Sequence, residues 1–443
     1  MRRAADIAGR LIEMVGDRAD AEAQITMGTA ELTRFANSFI HQNVGEEYFE
    51  VRLRLAREGR VATVTGNHSG DEGLAALVDQ ALTIASTQPV DPDWPGLTER
   101  VEIPDSDHAD PSTVAATPEQ RAQVVADFVA AGPGMRAAGY CDIDWADVAY
   151  ANTSGHHATS RRSRATIDGL QQTDESAGAG HQTSVAFADL DGGAAGTLAA
   201  ERTRMGADAF DLKPGDYEVV LGPEPVATIA AFLALYGLNG KAVNEGQSFA
   251  ALGEAQFDER ITLVDDPLGT DALASPFDIE GTPKTSLTLV SSGVTVTLAH
   301  DRRSAHTAGA KSTGHAWTES VSWFPFAQHL VVTPGNHTVD EMIAAVDRGV
   351  YVATFNYCRI LDPKTQVVTG LTRNGTFMIE NGAITGAVTN LRFTQSFLAA
   401  WSPGNVAGIG NDLRYADCEF GHGLVRAPSM HLAEFRFTGG AEG

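Results

Sequence analysis

Apolar residues follow two different periods in the first part of the chain. Between residues 7 and 15 they recur at every third or fourth position up to Gly16, which predicts an amphipathic helix. Between residues 51 and 55 they alternate with polar residues, and the alternation resumes at Val61 after a Glu-Gly turn. We therefore predict an N-terminal helix and, after it, a β-hairpin with one buried face.

The helical period returns further along this half of the chain. Residues 71–85 follow it closely. Thr117 is placed as an N-cap, Pro118 stands at the first helical position, and Gln120 can complete a capping box, so a helix is expected to start there. Another capped helix is predicted at about residues 198–207.

The second half of the chain has a different pattern. A short strand is predicted at residues 215–221 and is followed by a strongly apolar helix. Beyond it the glycine-rich sequence favours strands and turns, interrupted by one clear helix over residues 338–348.

These elements predict an α+β protein with two domains. The first, residues 1–211, is an N-terminal α/β domain with an antiparallel sheet and two or more helices, and its central strands are expected at about residues 145–191. The second, residues 212–443, is a β-rich C-terminal domain that carries the apolar helix 226–236.

Composition excludes several classes of function. The chain has 32 Lys and Arg against 57 Asp and Glu, a formal charge of -25, which opposes binding to a nucleic-acid backbone. The single basic cluster, at residues 161–164, is interpreted as a solvated strand face. No stretch approaches the ~20 apolar residues of a membrane span, and the charged N-terminus resembles neither a signal peptide nor an anchor. Three widely spaced cysteines favour a reducing compartment, so a cytoplasmic location is expected.

The 13 histidines make a metal site the first chemistry to consider. No predicted helix carries a His-Glu pair followed by a second His, and the adjacent His156 and His157 would face opposite sides of a strand. Two groups could still contribute ligands, although they are equally compatible with satisfied polar residues that line a sheet or a cavity. The groups are His300, His306 and His315 with Asp301, and Cys418 with His422.

Other catalytic signatures are absent from the sequence. No Gly-x-Ser-x-Gly elbow lies between a strand and a helix, and Ser154-Gly155 is interpreted as a turn. No phosphate-binding loop and no dinucleotide-binding glycine motif occur, which argues against ATP and NAD dependence. The residues alone therefore predict a soluble, acidic α+β protein without a visible catalytic centre.

A series of segments in fixed order nevertheless resembles the TldD/PmbA family across nearly the whole chain. Two of them read Gly-Asp-Tyr-Glu-Val-Val-Leu-Gly-Pro at 215–223 and Phe-Asp-Ile-Glu-Gly-Thr-Pro at 277–283. The others are residues 33–42, the hairpin 51–64, residues 263–267, residues 334–350, residues 379–382 and residues 410–413. Their order and spacing carry the resemblance, because no single segment is diagnostic.

The resemblance implies a PmbA-like, or TldE-like, subunit that lacks the zinc motif. TldD-like members carry His-Glu-x-x-x-His on the central helix, and the positions that correspond to those three residues here are Ala231, Phe232 and Tyr236. Cys418 falls near the place where a third, sulfur ligand is expected. The resemblance thus implies no catalytic residue, no metal and no cofactor in this chain, with zinc in a TldD-like partner subunit.

The resemblance also implies a heterodimer whose shared chamber takes extended peptides, and a possible homodimer when the partner is absent. Candidate chamber residues are Arg34, Asn37, His41, Tyr236 and Asn239. The expected function is that of a noncatalytic subunit of a cytosolic metallopeptidase that degrades or processes small unfolded peptides. Two alternatives stay open: an autonomous metal-dependent peptidase with an atypical His/Cys site, and a binding or regulatory protein without hydrolase activity.

Overall fold

A computed structural model describes residues 1–104, 107–318 and 323–440 of the protein. The elements up to residue 205 are, in order, α1 Arg2–Val15, β1 Asp20–Ala36, β2 Phe39–Arg57, β3 Arg60–Gly66, α2 Asp71–Thr87, β4 Asp107–His108, α3 Pro111–Val114, α4 Pro118–Ala130, β5 Arg136–Asn152, β6 His157–Gln172, β7 Ala177–Ser184 and α5 Gly192–Met205.

The strands of this part form the first sheet, in the order β3-β2-β1-β5-β6-β4, with β7 also paired to β6. The long strands β1, β2, β5 and β6 pair antiparallel over almost their full length. Two pairs of helices cover one face, because each helix presents a stripe of apolar residues to the strands. α1 and α2 pack over the end near Leu53, and α4 and α5 pack over the end near Phe35.

The elements from residue 215 are β8 Gly215–Leu221, α6 Pro223–Tyr236, α7 Gly240–Asn244, β9 Leu263–Asp265, β10 Leu287–Ser291, β11 Val294–Thr295, α8 Arg302–Ala308, β12 Leu330–Val332, α9 Val339–Ala344, β13 Arg348–Asp362, β14 Val367–Glu380, β15 Ala383–Ala387, β16 Leu391–Ser396, α10 Phe397–Ala400, β17 Val406–Ile409, β18 Arg414–Cys418, β19 Gly421–Ala427 and β20 Met430–Gly440.

These strands form two further sheets. The second sheet has the order β11-β10-β9-β12-β19-β18, and the third has the order β13-β8-β20-β16-β14-β15, with β17 beside β20. Helix α6 packs against strands of both sheets and is buried from Pro223 to Leu235, which explains why its sequence is apolar on every side. The mixed α+β class and the β-rich C-terminal part are as predicted.

Several local predictions are confirmed. Helix α1 ends at Gly16, and β2 and β3 form the expected hairpin around Glu58-Gly59. At α4 both halves of the capping box form: the Thr117 hydroxyl accepts a hydrogen bond from Gln120 N, and the Gln120 side chain accepts one from Thr117 N.

Other predicted bounds are wrong. The central strands run from Arg136 to Ser184 rather than over residues 145–191, because β5 follows the full length of β1. The helix predicted at 198–207 starts at Gly192, where the Asp191 carboxylate caps it. The helix predicted over 338–348 ends at Ala344, because Arg348 already pairs with Glu380 in the third sheet.

The apolar helix 226–236 starts earlier, at Pro223. The predicted domain boundary at residues 211 and 212 stays a prediction. Among the helices of the described residues, none combines the length and the apolar character that crossing a bilayer requires.

Candidate functional site

The positions that would carry a zinc motif lie on α6 inside an aromatic cluster. Ala231 is fully buried and Phe232 is 1% exposed. The Phe232 ring lies 4.8 Å from the ring of Phe420 and 5.6 Å from that of Phe397, between ring centroids. Tyr236 is half-buried at the edge of this cluster, and burial raises the pKa of its hydroxyl. An apolar side-chain cluster therefore fills this place.

Cys418 is the other candidate ligand. Its thiol is buried and donates a hydrogen bond to the carbonyl of Gly421 at 3.3 Å. Burial raises the pKa of this thiol to about 12. Since Ala231 and Phe232 offer no donor atom, the residues present do not fit a zinc ion. Across residues 1–104, 107–318 and 323–440, no group of three or more His, Cys, Asp or Glu side chains could hold a metal.

Asn239 lies just beyond α6 and is fully buried. Its amide nitrogen donates to the Leu235 carbonyl at 2.7 Å, and its side-chain oxygen accepts from Ala242 N at 2.8 Å. The side chain thus links the end of α6 to the start of α7, which is a capping role.

The other candidate chamber residues lie together at one end of the first sheet. Arg34 is on β1, Asn37 is in the turn with a positive φ of 50°, and His41 is on β2. All three are exposed. From residue 39 to residue 50 the outer edge of β2 pairs with no other strand of the described structure, because β3 begins its pairing at Val51.

The side chains of His300, His306 and His315 do not come together around one position. His315 Nε2 lies 3.0 Å from an Asp265 carboxylate oxygen, and both side chains are fully buried. His300 Nδ1 instead contacts the Ser304 hydroxyl at 3.1 Å, and His306 is exposed near the end of α8. His156 and His157 diverge as expected, since His156 is buried with Nε2 2.9 Å from the Gly281 carbonyl, while His157 is exposed.

The basic residues at 161–164 do not form a freely solvated face. Each of the three arginines on β6 pairs with an aspartate on β5. Arg161 contacts Asp147 at 2.7 Å, Arg162 contacts Asp144 at 3.0 Å, and Arg164 contacts Asp142 at 3.0 Å. The cross-strand register sets these pairs, because side chains that face one another across two strands are in contact.

A cavity of about 350 Å³ lies between this face of the first sheet and the second half of the chain. We call it the interdomain cavity. Its charged lining groups are Arg162, Arg164, Lys284 and Asp278, and His329 and His422 also reach it. Burial and, after it, the charge of the nearby Glu280 raise the pKa of Asp278 to about 7. Burial and the charge of Lys284 lower the pKa of His329 to about 3, so His329 is neutral.

A cluster of titratable residues lies at one side of the interdomain cavity. His422 forms a hydrogen bond with the Tyr140 hydroxyl and lies 3.1 Å from Asp417, and its ring stacks on that of His181 at 4.9 Å between centroids. Burial alone would lower the pKa of His422, but the Asp417 carboxylate raises it above the ordinary value. Burial lowers the pKa of His181 strongly, so folding shifts the pKa values of the two stacked rings in opposite directions.

Sequence reasoning missed most of these groups. His422 was considered only as a metal ligand, and Tyr140 and Lys284 were not considered. The one signal that could have found the cavity is the segment at 277–283, which supplies Phe277 and Asp278 to its wall.

Comparison with known proteins identifies the family of this chain. The model of the PmbA/TldA metallopeptidase C-terminal domain matches residues 214–439, which is just over half of the chain. The chain belongs to the TldD/PmbA family. This family is metalloprotease-like by the names of its members, and the resemblance drawn from the sequence is confirmed.

Individual relatives of the TldD/PmbA chain are distant. A metalloprotease TldD homologue of Buchnera aphidicola from Acyrthosiphon pisum is 26% identical over 205 residues, which are 45% of this chain and 42% of that one. A metalloprotease of Methanothermobacter thermautotrophicus is 24% identical over 204 residues, or 45% and 44% of the two chains. The chain thus spans less than half of the length of these relatives.

Solved structures match over almost the full length. TldE from Thermococcus kodakarensis has a TM-score of 0.85 at 15% identity and covers 99% of this chain and 100% of its own. A Thermotoga maritima protein described as a candidate modulator of a DNA gyrase has a TM-score of 0.84 at 16% identity and covers 98% and 99%. At these identities the likeness establishes the fold.

Proposed function

We propose that this chain is a noncatalytic subunit of a cytosolic metallopeptidase complex of the TldD/TldE type, which degrades or processes small unfolded peptides. A TldD-like partner subunit supplies the zinc ion, and this chain closes the chamber that the two subunits share. No cofactor is assigned to this chain itself.

The packing of α6 is the observation that carries this proposal. The family's zinc peptidase motif needs two imidazoles and a carboxylate on one helix face, where the metal can bind and activate water. Here those positions hold Ala231 and Phe232, which are both buried, and the Phe232 ring packs against the rings of Phe397 and Phe420. Restoring a metal site would require three substitutions and an opening of the aromatic cluster.

The free edge of β2 supports the peptide part of the proposal. Residues 39–50 leave their outer backbone groups without a strand partner among the described residues. An extended peptide can pair with such an edge through main-chain hydrogen bonds, which depend little on the peptide's sequence. Arg34, Asn37 and His41 lie at this end of the sheet, so they remain the proposed chamber residues of the N-terminal part.

The test compares four samples: this chain alone, a TldD-like partner from the same genome alone, the complex of the two, and the complex with the Glu of the partner's His-Glu-x-x-x-His motif changed to Gln. Zinc per chain and hydrolysis of an unstructured peptide are measured in each. We expect zinc in every sample that contains the partner, and hydrolysis only where the partner's motif is intact.

Each contrary outcome selects another function. Stoichiometric zinc and hydrolysis in the isolated chain would overturn the proposal in favour of an autonomous peptidase. Failure of the two chains to form a complex, with full activity in the partner alone, would overturn it in favour of a binding or regulatory role.

A further inference from the structure

Lys284 has an unusual environment for a lysine. The residue is 6% exposed and lines the interdomain cavity. Burial lowers the pKa of its amine, and the charges of Asp265 and Asp278 oppose this lowering only in part. Within the described residues the amine donates no hydrogen bond and forms no ion pair, so it can donate to a group that enters the cavity.

The two nearby carboxylates already accept hydrogen bonds from other groups. Asp265 accepts from His315 Nε2 at 3.0 Å and from His329 N at 2.7 Å. Asp278 accepts from three backbone N–H groups, those of residues 280, 282 and 316, each at 2.9 Å. Both aspartates are thus fixed where they are, and neither moves to Lys284 without losing these bonds.

A second donor borders the same cavity. Arg164 uses one terminal nitrogen to contact Asp142, and within the described residues its other terminal nitrogen donates to no partner. The side chain is 31% exposed, so this nitrogen can bind a further anionic group while Arg164 keeps its contact with Asp142. Lys284 and Arg164 therefore both bring unused donors to one cavity.

The charged side chains around the interdomain cavity favour one kind of anion. Arg162 and Arg164 are each paired with an aspartate of β5, and Asp278 lies beside Lys284, so the excess positive charge around the cavity is small. A group with a single negative charge suits this balance better than a doubly charged phosphate. The volume of about 350 Å³ is at the lower end of the range for small-molecule sites.

We propose that the interdomain cavity binds the carboxylate group of a small molecule, with Lys284 and Arg164 as its cationic partners. The carboxylate comes either from the C-terminus of a short peptide or from a free organic acid. The peptide source rests on the proposed function, whereas the carboxylate site itself does not.

Binding of four probes to the purified chain is measured by calorimetry. The probes are an N-acetylated tripeptide of alanine, the same peptide with a C-terminal amide, propionate and inorganic phosphate. At least one of the two carboxylate probes is expected to bind, and the amide is expected to bind on the order of tenfold more weakly than the acid or not at all.

Lys284→Met is the decisive variant, and Lys364→Met is its matched control, because Lys364 is exposed on the loop before β14. Lys284→Met is expected to weaken carboxylate binding by about tenfold to a hundredfold, and Lys364→Met to leave it unchanged. Arg164→Gln, at a partly exposed position, gives an independent loss should the first variant fold poorly.

The outcomes separate the site from the peptide hypothesis. Binding of propionate but not of the peptide, lost in Lys284→Met, keeps the carboxylate site and removes the peptide source. The proposal is overturned if neither carboxylate probe binds, if phosphate binds more tightly than both, or if neither the Lys284 nor the Arg164 variant affects binding.

Discussion

Arg54 neutralises carboxylates from both halves of the chain. Its Nε lies 2.6 Å from Glu22 on β1, and a terminal nitrogen lies 2.9 Å from Glu280 in the segment that also lines the interdomain cavity. All three side chains are at most 8% exposed. A buried arginine of this kind holds two negative charges that have no access to water, so its removal is expected to be more costly than the loss of a surface pair.

Arg54→Met is therefore expected to lower the free energy of unfolding by about 3–5 kcal/mol, because Glu280 loses its counter-charge and Glu22 keeps only that of Arg52, 3.8 Å away. Arg436→Met is the control, since its pair with Asp216 is exposed and is expected to contribute about 0–1 kcal/mol. Urea denaturation followed by circular dichroism measures both. Equal effects of the two substitutions would contradict the assigned role of Arg54.

The raised pKa of Asp168 predicts that the free energy of unfolding depends on pH. A single substitution can isolate this contribution. Burial raises its pKa to about 6, and Asp417 and Glu224 raise it while His422 and Tyr140 lower it. The unfolded chain has a pKa of about 3.9 at this residue. Between these values the folded state binds more protons than the unfolded state, so the contribution of Asp168 to stability falls as pH rises from about 4 to 6.

Asp168→Asn is expected to remove this contribution, so that the variant gains about 1–2 kcal/mol relative to the wild type between pH 4 and pH 7.5, allowing for the partial exposure of the side chain. Denaturation curves at the two pH values measure the difference. The exposed Asp6 gives a control, since Asp6→Asn is expected to change nothing between these pH values. A constant difference for Asp168→Asn at both pH values would show that folding does not raise the pKa of Asp168.

Residues of the candidate site were predictable only where a local motif marked them. The replacement of the zinc motif at Ala231 and Phe232 could be inferred from the neighbouring segments, which fix the alignment. Lys284 and Arg164 could not, because their significance depends on a cavity formed by segments more than 100 residues apart.

Helix α5 shows how close packing limits what a local pattern can predict. Its first turns carry three glycines, which have low helix propensity, so the periodic signal begins only near residue 198. A Cβ at Gly196 would lie 2.4 Å from the Phe128 carbonyl oxygen of α4, and a Cβ at Gly192 would lie 2.0 Å from that of Val124. The glycines are thus required by the neighbouring helix, which the local sequence does not reveal.

Gly196→Ala is expected to destabilise the protein by about 1–3 kcal/mol, because α4 and α5 would have to separate. Gly193→Ala on the same helix is the matched control, since its Cβ would meet only an Asp191 carboxylate oxygen at 3.3 Å. It is expected to be neutral or to stabilise by less than about 1 kcal/mol. Urea denaturation of both variants measures the difference, and a neutral Gly196→Ala would mean that the helix contact is not tight.

Helix starts were predicted well where the sequence carries a complete capping box. Bounds that depend on distant partners were predicted poorly. Thr117 and Gln120 gave the correct start of α4 because both partners of the capping box lie within one turn. The predicted helix from residue 338 was too long because a strand begins at Arg348. Arg348 pairs with Glu380, 32 residues away, and Gly349 pairs with Glu218, 131 residues away.

At the scale of the whole molecule, the α+β class and the β-rich second half were predictable from periodicity and glycine content. The strand orders of the three sheets were not, because β8, β20 and β16 are neighbours in space although they are far apart in sequence. Only the resemblance across many segments gave information on the whole chain. The order and spacing of those segments carry long-range information that a single periodic stretch lacks.

The open edge of β2 has a consequence for the isolated chain in solution. Phe39 is 58% exposed and Val44 is 43% exposed along a backbone edge that has no strand partner in the described structure. An unpaired apolar edge is a template for strands of other molecules, and natural proteins often block such edges with lysine. The purified chain is therefore expected to aggregate as its concentration rises.

Val44→Lys is expected to raise the concentration at which light scattering first increases, and Val296→Lys, which alters an equally exposed valine elsewhere, is not. If both variants behave like the wild type, another surface drives the aggregation. In the complex proposed above this edge would lie inside the shared chamber, so the colloidal stability of the chain in a cell would depend on how much of its partner is made alongside it.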